Sequence, residues 1–269
     1  MKLLDKTTKR LLSKEAALSS MNLGVGLTFL RRHNFTQIGF IYQSFFSLSV
    51  GLERLMKLIL VYEHIYVNDT YPKQENIKNF GHNLTQLFLK VRELSTKYSA
   101  DRHFNSIDEQ DLCITILQNL SDFAKQNRYS HLNQLTGNNT TDDPLIRWET
   151  EIGAVIVNRY YRPTKNDRVM TALASVVAEN SIVRHTSESD NDITDYNQLT
   201  KNGLHAETKQ KYGQYFTFMI IKALCELQIN QSYQSQTNIA LHEFFTTFRV
   251  EPNYALKRKS WNPYSPYKF

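Results

Sequence analysis

Two sets of polar residues sit at spacings that could carry chemistry. Glu53, Lys57 and His64 lie four and then seven residues apart, which at about 100° per residue places all three on one flank of a helix. Such a flank is either a solvated Glu-to-Lys pair, stabilising by roughly 0.3 kcal/mol, or one wall of a polar site between helices. In the second case a half-buried charge needs a partner from a facing helix. The candidate partner is Phe123-Ala-Lys-Gln-Asn-Arg128-Tyr129-Ser-His131-Leu-Asn133, in which Arg128 and His131 stand one turn apart. A guanidinium clamps a phosphate through two parallel N–H bonds, and an imidazole with an ordinary pKa of ~6.5 moves a proton at neutral pH. Together they suit phosphodiester cleavage. The same residues at a helix end also bond the last carbonyls and favour the dipole.

A second basic feature is C-terminal. Lys257-Arg258-Lys259-Ser-Trp261-Asn-Pro-Tyr264 interleaves cations with aromatics, the combination that holds single-stranded nucleic acid by phosphate contacts and base stacking. Such a tail can equally wrap over the protein or take a protein partner in extended form. Other motifs fail. His242-Glu243-Phe-Phe-Thr246 lacks the second His of a metalloprotease helix, and the loop at Asp190-Asn-Asp192 has Asp195 and Lys201 where an EF-hand needs Gly and Glu. GxSxG, P-loop and dinucleotide fingerprints are absent. Cys113 and Cys225 have no CxxC or His/Cys cluster beside them, so buried thiols are expected, with no metal and no cofactor.

The elements that must position these groups read as helices. Nine Gly and six Pro in 269 residues are about half the usual share of breakers, which argues against collagen-like, linker-rich and short-strand sandwich chains. Residues 3–20 form a basic amphipathic segment that Gly24 and Gly26 should break. From about Thr36 to Val67, Phe45, Leu48, Leu52, Leu55, Met56, Ile59 and Leu60 recur at three- and four-residue steps on one core-facing stripe. Further helices are expected over Ile77–Tyr98, Asp108–Leu132, Leu145–Tyr161, Asp167–His185, Ala206–Ile229 and Asn238–Phe248. Asp143 and Pro144 form the opening of the Leu145 helix. His82 should cap the backbone at the start of its helix or touch the long one. Thr186–Asn202, rich in Asp, Ser, Thr and Asn, reads as an exposed loop or a linker.

Ser47-Leu-Ser-Val-Gly-Leu-Glu53-Arg-Leu-Met-Lys57-Leu-Ile-Leu, Gly81-His82-Asn-Leu84-Thr-Gln-Leu87-Phe88 and Asn127-Arg128-Tyr129 resemble the HEPN superfamily of all-helical domains over roughly residues 36–160. The resemblance implies an antiparallel four- to five-helix bundle, frequently dimeric, found in prokaryotic defence and toxin systems, whose active members cleave RNA without metal. Those members carry Arg, four to six intervening residues, then His. Here the position after four residues from Arg128 holds Asn133, which exchanges no proton near pH 7, and His131 follows after only two. Either His131 substitutes, or cleavage is lost and binding retained.

The reading is therefore all-α: an N-terminal helical segment (1–35), a HEPN-like bundle (36–160), a C-terminal helical extension (161–250) and a basic-aromatic tail (251–269). A net charge of +6 is compatible with a nucleic-acid partner without requiring one. Charges within Met1–Ser20 leave no apolar signal region, and Glu53, Arg54, Lys57 and Glu63 interrupt the most apolar stretch below a membrane span; a cytoplasmic protein without a membrane partner is expected. Two functions stand. One is an RNA-interacting protein with Arg128, His131 and Asn133 as the catalytic set and Glu53, Lys57, Lys257, Arg258, Lys259 and Trp261 as RNA contacts. The other is a non-catalytic module that dimerises through the bundle and holds a protein partner with its tail.

Overall fold

Asp5 opens the first helix, its carboxylate accepting from the backbone N–H of Thr7 at 2.8 Å and Thr8 at 3.0 Å, which satisfies two orphan donors. In the computed structural model, residues 3–34, 37, 39–73, 75, 79, 81–125, 130–137, 143–187 and 192–262 are described. Helix α1 (Lys6–Leu30) runs on through Gly24 and Gly26, against the expected break. The reason is tertiary. A Cβ on Gly26 would stand 2.5 Å from Leu48 Cγ, and one on Gly51 only 2.9 Å from the backbone nitrogen of Leu23. The two glycines let α1 and the long α2 (Gly39–Asn68) approach as an antiparallel pair, laced by Ser19 Oγ donating to Gly51 O at 2.9 Å and Ser44 Oγ donating to Gly26 O at 2.8 Å. Close packing offsets the ~1 kcal/mol that glycine costs in a helix interior.

On α2, Phe45, Leu48, Leu52, Leu55, Met56 and Ile59 are buried as their period demands, while Leu60 is only partly so. After it, α3 (Leu84–Arg92) is capped by Asn83 and buries Leu84, Leu87, Phe88 and Val91. The chain then turns at Ser99, with φ +52°, into α4 (Asp101–Asp108) and α5 (Asp111–Lys125). The single helix expected over Asp108–Leu132 is thus described as α5 and a short α6 (Ser130–Leu135). Asp143 opens α7 (Pro144–Arg147), accepting from Leu145 N–H at 2.7 Å. A π-turn (Trp148–Gly153) joins it to α8 (Ala154–Tyr160).

A reciprocal Thr164–Asp167 capping box starts α9 (Lys165–Ala178), whose one buried residue is Ala174. Strands β1 (His185–Thr186) and β2 (Asp192–Ile193) pair antiparallel, His185 opposite Ile193. Part of the expected 186–202 loop is helical: Asp195 caps α10 at Asn197 N–H, and the helix runs without interruption over Tyr196–Ser235. A 3-10 helix (Leu241–Phe248) and α11 (Pro252–Ala255) complete the fold.

The C-terminal half of α10, from Gly213 on, is buried almost all round. Its polar side chains reach neighbouring backbones: Gln214 Nε2 donates to Leu27 O, Gln231 Nε2 to Ile59 O, both at 3.2 Å, and Asn230 Nδ2 to Tyr98 O at 2.9 Å. Apart from Ala174 and Ile193, the buried apolar residues form one cluster from Leu4 to Trp261, so the expected boundaries at 35 and 160 run through a shared core, to which the C-terminal half of α10 belongs. Among the described residues, no helix is long and apolar enough to cross a membrane.

Candidate functional site

Glu53, on α2, is the hub of the clearest polar cluster. Lys57, one turn on, donates to its Oε1 at 2.8 Å, and Nδ1–H of His82 donates to its Oε2 at 2.8 Å. Lys57 also donates to Gly81 O at 2.8 Å, and Gly81 adopts φ +52°, the left-handed conformation that glycine takes without penalty. The i,i+4 pair follows from sequence; the third member arrives because this turn presents the imidazole to α2. The capping role open to His82 falls to Asn83, which accepts from Gln86 N–H at 3.1 Å. Burial raises the pKa of Glu53, but bonds from Lys57 and His82 outweigh it and hold the carboxyl below its ordinary value. His64 takes no part in the cluster; its carbonyl accepts from Asn68.

These groups stand on the rim of a groove of about 560 Å³ between α1 and α2. Leu11, Leu12, Val50, Leu58, Val61 and Ile65 supply its apolar walls. Glu15 and Arg54, paired at 2.6 Å across the two helices, form a second stretch of charged rim. At the far end Thr8, Tyr71 and Asp5 bond one another. An apolar trough edged by compensated charges suits an apolar or amphipathic ligand better than a bare phosphate chain.

Of the remaining expected residues, the described side chains of Asn133, Lys257, Arg258, Lys259 and Trp261 do not join this cluster. Arg128 lies outside the described residues, and of His131 only the backbone is described, in α6. Asn133 is half-buried in the same helix. Lys257 and Lys259 are exposed. Arg258 is engaged, donating through Nη1 to Thr247 O at 3.1 Å and through Nε to Ser260 O at 2.8 Å, with its guanidinium 4.3 Å from the Trp261 ring centre. Trp261, expected as a stacking surface for bases, is 1 % exposed and stacks instead on Phe218 and Phe248. An indole ring this large joins the core when two aromatic faces are there to receive it.

A second polar cluster has no signature in the sequence. Glu149, on the π-turn, is buried, bonded by Lys209 and 3.9 Å from His33 Nε2. Gln210 Nε2 donates to His33 O at 2.5 Å while its Oε1 accepts from Arg31 Nη1 at 2.9 Å. A Cβ on Gly153 would stand 3.0 Å from Glu149 Oε2, so that glycine makes room for the carboxylate. The cluster joins the segment just after α1, the π-turn and α10, and separations of 60 residues or more leave no local signal. Among the described residues, no group of three or more His, Cys, Asp or Glu side chains is placed to hold a metal. No protein-family model, curated protein or solved structure matches the chain.

Proposed function

We propose that the chain is a non-catalytic helical interaction module that receives an amphipathic helix of a partner protein in the α1/α2 groove. The observation that carries this reading is the groove itself, with its apolar walls between the Glu15–Arg54 and Glu53–Lys57–His82 rims. Residues 50–65 of α2 line a trough roughly 22 Å long, the span of about four helical turns. Rim charges of both signs offer matching partners to the polar flank of such a helix.

A photo-reactive residue at position 61 of the full chain is expected to crosslink, in the cells that make the protein, to one protein. The crosslinked segment should carry apolar residues at i, i+3, i+4 and i+7, and Leu11→Glu, at an exposed wall position, should abolish the product. Crosslinking to RNA, or a yield that Leu11→Glu leaves unchanged, overturns the reading.

A second reading keeps the HEPN-like, RNA-directed role, supported by the meeting of Glu53 and Lys57 with Gly81 and His82, residues of two of the resembling motifs. A carboxylate on Nδ1 orients an imidazole whose other nitrogen can exchange a proton. Cleavage of a mixed RNA pool in EDTA, abolished by Arg128→Ala, supports that role; RNA of unchanged length removes the catalytic part. Binding that does not weaken as salt rises removes the rest.

A further inference from the structure

Helix α9 carries an apolar face that the other described residues do not cover. Val169, Met170, Leu173, Val176 and Val177 are between 42 % and 65 % exposed. Beside this face Ala174 is buried, and on the opposite side Ser175 Oγ donates to Asn197 Oδ1 at 3.1 Å, holding α9 to α10. A monomer rarely leaves a contiguous apolar patch of several hundred Å² open to water, and a helix of this length is marginal without a packed face.

The spacing of the face suits a second copy of the same helix. Counted from Leu173, the residues fall at −4, −3, 0, +3 and +4, a symmetric pattern within an arc of about 120°. An antiparallel second copy therefore sets Val169 against Val177, Met170 against Val176, and Leu173 against itself. Charge agrees with that direction. Lys165, at the start of the helix, and Glu179, just beyond its end, fall on the same flank of the helix, so antiparallel pairing brings these unlike charges together where parallel pairing would bring like ends. Asp167, also near the start, is already occupied by Thr164 N–H at 2.9 Å and Tyr161 OH at 3.3 Å.

We infer that α9 is a self-association surface through which two copies of this chain pair antiparallel about Leu173. The contact is isologous, as closed two-fold assemblies require, and a single helix pair buries an area at the low end of specific interfaces, giving weak, concentration-dependent association. This inference does not depend on the α1/α2 groove, whose occupancy is read separately at position 61.

Sedimentation velocity of the full chain over a hundredfold concentration range is expected to show the 31.5 kDa species giving way to one of twice the mass. Leu173→Glu, which sets like charges face to face at the axis, should keep the protein monomeric with unchanged helicity and melting temperature, since the site is exposed. Under mild oxidation Leu173→Cys should form a symmetric disulfide and Ser175→Cys, on the α10 side, should not; Cys113 and Cys225 are buried and do not compete. A monomer at every concentration, a dimer that Leu173→Glu leaves intact, or equal crosslinking from both cysteine variants overturns the inference.

Discussion

His82 Nδ1 lies 2.8 Å from Glu53 Oε2, so a loop imidazole is tied to a carboxylate on the long α2, 29 positions earlier in the chain. The contact fixes the entry to α3 and places three ionisable groups on one edge of the groove.

Its pH dependence has a defined sign. Bonds from Lys57 and His82 hold the folded pKa of Glu53 below its ordinary value, so the carboxylate contributes stability that is present above about pH 4.5 and is lost as pH falls through the folded value. Glu53→Gln is expected to remove about 1 kcal/mol at pH 7, a modest amount because His82 is largely exposed and solvent screens the pair. The deficit should vanish in acid. Urea titrations of both proteins between pH 3 and 7 check this; a constant deficit across that range refutes the linkage.

The glycines of the α1/α2 pair separate two effects of the same substitution. Gly26→Ala should destabilise by about 2 kcal/mol, because its Cβ meets Leu48 and the overpacked helices must part. Gly39→Ala, with nothing within 4 Å of the new Cβ, should be neutral or slightly stabilising. Melting temperatures decide, and equal behaviour of the two variants would remove the close-approach argument.

Trp261 is a core residue in this fold. Trp261→Ala is expected to cost about 3 kcal/mol and to lower the melting temperature by several degrees, without altering affinity for single-stranded RNA. Loss of RNA affinity at an unchanged melting temperature would return the indole to the role of a stacking surface.

The two thiols should be inert in the native protein. Burial, with Asp111 nearby, pushes Cys113 up to about 12, and burial, with Glu226 nearby, raises Cys225 as well, so the reactive thiolate is scarce at pH 8. Labelling by a chromogenic disulfide reagent is expected only on unfolding, at a rate that tracks denaturant. Prompt reaction of either thiol contradicts the burial.

What was legible in the sequence was local. The stripe of α2 and the Asp143–Pro144 helix start each follow from a few neighbouring residues, as does the Glu53–Lys57 pair, and the structure contains all three. What was not legible depends on distant partners. Gly24 and Gly26 read as a break because only the opposing α2 shows why Gly26 belongs inside a helix. The start of α10 hides in a polar stretch because Asp195 reads equally as a loop residue and as a cap. His82 needed the turn at Gly81, and Trp261 needed Phe218 and Phe248, 43 and 13 residues away.

The uninterrupted α10 has a geometric consequence. No proline occurs between Tyr196 and Ser235, so no residue forces a break in the main-chain bonds along this rod of about 60 Å. One end is wedged in the protein interior while the other bears α9. A single continuous helix therefore spans from the α9 contact to the buried half of α10, with length instead of a joint separating the two.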